Sequence, residues 1–206
     1  QRPLKELKNV TVHEALSHPT WVMGRKITID SSTLMNKGFE VIESRWLFDM
    51  PFDRIDVVVH PQSIVHSMVV LADGSVKAQL GLPDMRFPIQ YALSYPDRIF
   101  NQNLPDFDPL LHSPLTFEGM DHARYPCFGL AVEAGKTGGT YPAVLSAADE
   151  EAVGLFLSGR ISFPDIYRFV SETLEAHDPV PQFTMETILD SDTWARRFVN
   201  ELIAGH

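Results

Sequence analysis

Cysteine is almost absent. Cys127 is the single one among 206 residues, so no disulfide can close within the chain, and this usage fits a reducing compartment. An excess of basic charge is lacking as well. Seventeen Lys and Arg stand against 27 Asp and Glu, a formal net charge of −10. That balance argues against a nucleic-acid partner, and an anionic ligand has to be held by a local positive patch rather than by the overall field. No apolar run approaches a membrane span and no signal peptide is visible, so a soluble, cytoplasmic protein is expected, or a plastid one if the source is a plant or alga. No repeat or low-complexity tract occurs. Nor does a Gly-x-Gly-x-x-Gly lie between a strand and a helix, so no dinucleotide-binding domain is visible.

What is present is an ordinary globular composition, 44% apolar and 21% charged, long enough for one large or two small domains. The stretch richest in chemically capable side chains runs from His18 to Glu40. Lys26 to Ile29 alternates polar and apolar residues as a short strand does, and Asp30, Ser31 and Ser32 are residues that cap a helix start. Apolar residues from Leu34 to Phe48 recur at helical spacing, leaving Asn36, Lys37, Glu40 and Glu43 as one polar ridge. Two readings of this strand-to-helix junction stay open. Free N–H groups, the helix dipole and a lysine one turn in favour an anion such as phosphate, with Glu40 a hard oxygen donor for Mg²⁺ or Mn²⁺. Alternatively, Lys37 and Glu40 are a surface ion pair and the serines only caps. His18, Arg25, Lys26 and Lys37 are the candidate positive patch.

Elsewhere, Val10 to Leu16 reads as a short helix with a Thr11–Glu14 capping box, leading into an aperiodic loop from His18 to Gly24. Trp21 either packs locally or closes over a ligand. Arg54 to His60 has a buried-strand pattern, and Ser67 to Leu71 with Ser75 to Leu80 flank a hairpin turn at Ala72-Asp73-Gly74. His60 and His66 lack zinc-ligand spacing and read as structural. A helix follows Asp84-Met85-Arg86 to Ser94, with Met85 either filling a core gap or facing a ligand. The proline-rich stretch from Pro96 to Gly119 reads as an extended connection, and Phe128 to Lys136, Tyr141 to Leu157, Ser162 to Ala176 and Met185 to Ile203 as a small helical bundle. The expectation is α+β: a catalytic part with a small mixed or antiparallel sheet and a flap over residues 1–95, a linker over 96–120, and a C-terminal helical bundle over 121–206.

Four ordered motifs carry a resemblance: His18-Pro-Thr-Trp21-Val-Met23-Gly24; Asp30-Ser31-Ser32-Thr33-Leu34-Met35-Asn36-Lys37-Gly38 with Glu40; His60-Pro-Gln-Ser-Ile-Val-His66-Ser; and Gly81-Leu-Pro-Asp84-Met85-Arg86. In these the chain resembles the 1-deoxy-D-xylulose 5-phosphate reductoisomerases, and the likeness extends more weakly through Arg124-Tyr125-Pro126-Cys127 and the helical tail. The resemblance implies an NADPH-dependent oxidoreductase of the non-mevalonate route to isoprenoids, with Mn²⁺ or Mg²⁺ and a phosphosugar substrate. It implies that His18, Ser31, Asn36 and Lys37 bind the substrate phosphate, that Glu40 is a metal ligand, and that His18 and Glu40 are catalytic. Trp21 and Met23 would belong to a flap over the substrate, with Gly24 and Met85 facing the nicotinamide cofactor. A homodimer is implied too. Since the family carries its nicotinamide domain first and this sequence begins at Gln1, the chain is expected to be a C-terminal portion, inactive alone. Ser146 and Asp149 depart from the resemblance, which leads one to expect asparagine at both positions. The competing expectations are an assembly module without activity of its own and an unrelated sugar-phosphate isomerase that needs no nicotinamide.

Overall fold

The computed structural model describes residues 2–17 and 23–204. In chain order the helices and strands are α1 (Val12–Ala15), α2 (Arg25–Thr33), α3 (Met35–Leu47), β1 (Val58–Val59), β2 (Val65–Val70), β3 (Val76–Leu80), α4 (Arg86–Ser94), β4 (Glu118–Gly119), α5 (Pro126–Thr137), α6 (Tyr141–Leu157), α7 (Phe163–Ala176) and α8 (Met185–Ala204). No helix among the described residues is long and apolar enough to cross a membrane.

The chain divides into two compact units, residues 1–56 with 121–206, and residues 57–120. The expected boundary after residue 95 is therefore replaced by one near residue 56. The physical reason lies in α3, whose Gly38 faces Ala131 of α5 and whose Met35 joins the same buried core as α5 and α6. Helices that share a core belong to one unit, whatever the sequence distance between them.

The core of the first unit is built around α6. Val144, Leu145, Ala147, Ala148, Ala152, Val153, Leu155 and Phe156 are buried on several faces of it, as expected of a helix surrounded by others. Ile166, Phe169, Val170 and Leu174 of α7 and Ala195 and Val199 of α8 pack into the same cluster at helical spacing. Helix ends are well specified. Thr11 and Glu14 form the expected capping box, the Glu14 N–H donating to Thr11 Oγ1 at 3.3 Å and the Thr11 N–H to Glu14 Oε2 at 2.9 Å. Ser162 and Asp165 make the same arrangement at the start of α7. Gly159 ends α6 at φ +71, its N–H donating to Phe156 O while that of Arg160 reaches Leu155 O, a stop that favours glycine because φ is positive.

The second unit holds two antiparallel ladders. β2 pairs with β3 about the Asp73–Gly74 turn, with Met68 opposite Ala78 and Val70 opposite Val76, and β1 pairs with β4. The expected strand from Arg54 to His60 is shorter than its pattern, only Val58–Val59, because its one partner is the two-residue β4. Between α4 and β4 the chain is irregular, with turns at residues 102–103 and 109–112, and it lies within the second unit rather than forming the expected linker over 96–120.

Candidate functional site

Residues 25 to 29 correct the sequence reading. They open a helix, not a strand, and α2 runs on through the supposed caps to Thr33. Helical spacing places Lys26 Nζ 2.7 Å from Asp30 Oδ2 and turns Thr28, Ile29 and Thr33 into the core. The hydroxyls that were to cap a helix instead donate back along α2, Ser31 Oγ to Ile27 O at 2.8 Å and Ser32 Oγ to Ile29 O at 2.7 Å.

Leu34 then breaks the helix. It lies in the left-handed region at φ 56, ψ 20, which costs a leucine about 1–2 kcal/mol. Thr33 Oγ1 accepts from the Met35 N–H at 3.3 Å and Asn36 Oδ1 from the Lys37 N–H at 2.9 Å, so two first-turn N–H groups of α3 find side-chain acceptors although its N-cap, Leu34, supplies none. Such strain persists where surrounding packing over-determines it and is concentrated at functional sites.

The break brings four of the predicted residues together. Asn36 Nδ2 donates to Ser31 Oγ at 3.4 Å, and Lys37 Nζ meets Glu40 Oε1 at 2.7 Å. Ser31 and Asn36 are half-buried, while Lys37 and Glu40 retain 40% and 53% of their side-chain exposure. An ion pair this exposed contributes only about 0.3–0.5 kcal/mol, so its members exchange readily for ligand charges: an anion for the ammonium, a cation for the carboxylate. Gly38 sets the height of this ridge, since a Cβ there would stand 2.2 Å from Ala131 Cβ.

The other predicted groups fall differently. Lys26 does not join a positive patch, because its ammonium is taken by Asp30 and, at 2.6 Å, by Asp149 of α6. Arg25 reaches Leu157 O at 3.4 Å. Gly24 is the N-cap of α2, and nothing lies within 4 Å of a Cβ built on it. Met85 sits at the N-cap of α4 in the second unit and is 58% exposed, so it fills no core gap. The rings of His60 and His66 pair with Thr116 O at 2.7 Å and Gly81 O at 3.1 Å, contacts that fit the structural reading. The readings of His18 and Trp21 lie outside the described residues. Among the described residues no group of three or more His, Cys, Asp or Glu side chains can hold a metal ion; Glu40 offers one carboxylate of the six oxygens or so that such a cation takes.

Sequence reasoning missed the Lys26–Asp30–Asp149 cluster. The 26/30 spacing was an available signal, whereas Asp149 lies 123 positions from its partner.

Residues 80–198 match the family described as the DXP reductoisomerase C-terminal domain, and residues 1–48 match the 1-deoxy-D-xylulose 5-phosphate reductoisomerase C-terminal domain. Relatives named 1-deoxy-D-xylulose 5-phosphate reductoisomerase include those of Acetivibrio thermocellus, 55% identical over 98% of this chain and 53% of the relative, and Heliobacterium modesticaldum, 54% identical over 98% and 51%. Among solved structures, the reductoisomerase from Zymomonas mobilis in complex with NADPH superposes with a TM-score of 0.88 at 41% identity, over 97% of this chain and 51% of that one. A second, in complex with NADPH, fosmidomycin and magnesium, gives 0.88 at 37% identity over 99% and 52%. The chain thus spans about half the length of the relatives it matches. With more than half of its own residues matched, it belongs to the DXP reductoisomerase family, through that family's C-terminal domain.

Proposed function

We propose that the chain is part of an NADPH- and divalent-metal-dependent reductoisomerase that converts 1-deoxy-D-xylulose 5-phosphate to 2-C-methyl-D-erythritol 4-phosphate. The observation that carries this reading is the ridge at the α2–α3 break, where Ser31, Asn36, Lys37 and Glu40 stand side by side with the lysine and glutamate exposed. Ser31, Asn36 and Lys37 hold the substrate phosphate, a non-reacting group whose binding orients the sugar for reaction. His18 adds a donor to that phosphate, and Trp21 and Met23 cover the sugar and exclude water. Gly24 and Met85 face the nicotinamide.

Glu40 supplies one oxygen toward the metal, and the remaining ligands come from outside the described residues, substrate oxygens included. When bound, the metal supplies Lewis acidity and NADPH the hydride. The ridge alone is not a metal site, so toward the metal the described residues offer the Glu40 carboxylate without a cluster of partners.

A homodimer belongs to the same reading. It is supported by the β2–β3 hairpin, whose Val69, Val70 and Val76 are each more than half exposed. The test places the chain in a polypeptide of the relatives' full length and follows NADPH absorbance with substrate and Mn²⁺ or Mg²⁺. NADPH consumption that requires both substrate and metal is expected there and not with the 206-residue chain alone. Turnover of the phosphosugar without NADPH would instead identify an isomerase of another kind.

A further inference from the structure

Helix α6 carries an acid into the middle of the first unit. The Asp149 side chain is fully buried, and that of Asp30 is 3% exposed. Both turn Oδ2 toward one ammonium, Lys26 Nζ, at 2.6 Å and 2.7 Å, while Oδ1 of each is buried with no hydrogen-bond partner. One lysine neutralises one carboxylate, so the cluster with both acids ionised would bury an uncompensated negative charge, and a group in that position takes up a proton instead. Both Oδ2 atoms meet at the one ammonium, which brings the two carboxyls together around it. Two ionised carboxylates contain no donor, so only a proton held between them would let one bond the other.

We propose that Asp30 and Asp149 share one proton and, with Lys26, form a latch between α2 and α6 that is closed while the proton is held and weakened when it leaves.

The groups facing the pair support this. Burial, and then the charge of Asp30, push Asp149 up to about 7, with Lys26 pulling the other way. Burial raises Asp30 too, against Lys26, and Glu150 adds to the rise. Burial opposes the Lys26 charge, yet Asp149 and Asp30 hold that ammonium above its ordinary value. From α5 comes the Cys127 thiol, pushed up to about 12 by burial and by the two acids, so it stays protonated throughout. From α3 comes the Phe39 ring, its centroid 5.3 Å from Lys26 Nζ.

The direction of the pH effect follows. Asp149 has a folded-state value above its unfolded one, so its contribution is fully present below about pH 4 and is lost as pH rises through about 7. Since α2 also carries Ser31 and leads into α3, the latch steadies the ridge; that consequence, unlike the latch, rests on the function proposed above.

The test is unfolding of the protein followed by tryptophan fluorescence between about pH 5.5 and pH 8.5, for wild type, Asp149→Asn and Asp30→Asn. Asparagine at either position keeps a hydrogen bond and removes the shared proton. Wild type is expected to lose melting temperature between about pH 6 and pH 8, and both variants to lose less, with Asp149→Asn melting above wild type at the upper end. In the infrared, a protonated carboxyl C=O stretch should be present in wild type at the acid end, absent at the alkaline end, and absent throughout in Asp149→Asn. A wild-type midpoint flat across the window, or the same fall retained in both variants, overturns the latch. If a variant fails to fold, the wild-type infrared spectra decide: no protonated carboxyl at the acid end overturns it equally. Neither result touches the kinetic tests of Lys37 and Glu40, so failure of the latch and failure of the functional reading are distinguishable.

Discussion

Replacing Gly38 by alanine tests the contact that sets the position of the ridge. A Cβ at Gly38 would lie 2.2 Å from Ala131 Cβ, where carbon atoms ordinarily meet at about 3.5–4.0 Å. Ala131 is fully buried and its Cβ is fixed to the α5 backbone, so no rotamer can relieve the clash and the two helices must part by an ångström or more. Overpacking costs about 1–3 kcal/mol, and a clash with a backbone-fixed atom belongs at the upper end. Alanine gains about 1 kcal/mol over glycine in a helix interior, which leaves a net loss of about 2 kcal/mol. Trp46 and Trp194, the tryptophans among the described residues, both fall in the first unit, so fluorescence during urea unfolding reads the right part of the chain. With a slope of about 2 kcal/mol per molar, the midpoint should fall by about 1 M. Ala131→Gly should restore Gly38→Ala nearly to wild type, because it moves the methyl from α5 to α3, and the coupling should approach about 3 kcal/mol. Gly154→Ala is the control: it lies in α6 with nothing within 4 Å of the new Cβ, so it should stabilise by up to about 1 kcal/mol. A Gly38→Ala midpoint at or above wild type would refute the α3–α5 packing described here.

Three further outcomes are expected. In a full-length polypeptide, Lys37→Ala should raise KM and lower turnover, the loss of a charge-assisted phosphate contact being worth about 1.5–3 kcal/mol, or about 10–100-fold; unchanged kinetics would remove Lys37 from the site. Glu40→Gln should lower metal-dependent activity by orders of magnitude with the urea midpoint little changed, because the Lys37–Glu40 pair it breaks is exposed; full activity at limiting metal would sink the ligand role. Ser162→Ala should cost about 1 kcal/mol of unfolding free energy by removing the cap of α7, and Ser162→Thr should recover most of it.

The helical half of the fold was legible because its signals are local. Tyr141 to Leu157 is read to the residue, since prolines and glycines mark its ends and its apolar content is continuous. The Thr11–Glu14 cap and the Asp73–Gly74 hairpin are likewise settled within a few positions. Lys26 to Ile29 fails for the opposite reason. Four residues of alternating pattern with two β-branched isoleucines suit a strand, and the decisive facts, burial of Ile29 in the shared core and the ion pair of Lys26 with Asp149 of α6, are set far along the chain. The division into units fails in the same way, because residues 1–56 find their core more than sixty positions further along the chain.

The two departures from the expected asparagines show where sequence reading stops. Ser146 and Asp149 lie on the same helix three positions apart, and in the sequence they look equivalent. In the fold Ser146 is exposed and Asp149 is fully buried. A polar exchange on the surface changes little. An acid in place of an amide at a buried position changes the charge that must be balanced, and the cation it meets, Lys26, is already engaged by Asp30. A proton is the cheapest remaining balance, because a second buried charge would itself need desolvation and partners. The exchange at Asp149, one atom group in the side chain, therefore makes the stability of α2 against α6 depend on pH, and its partner Asp30 is the residue before Ser31.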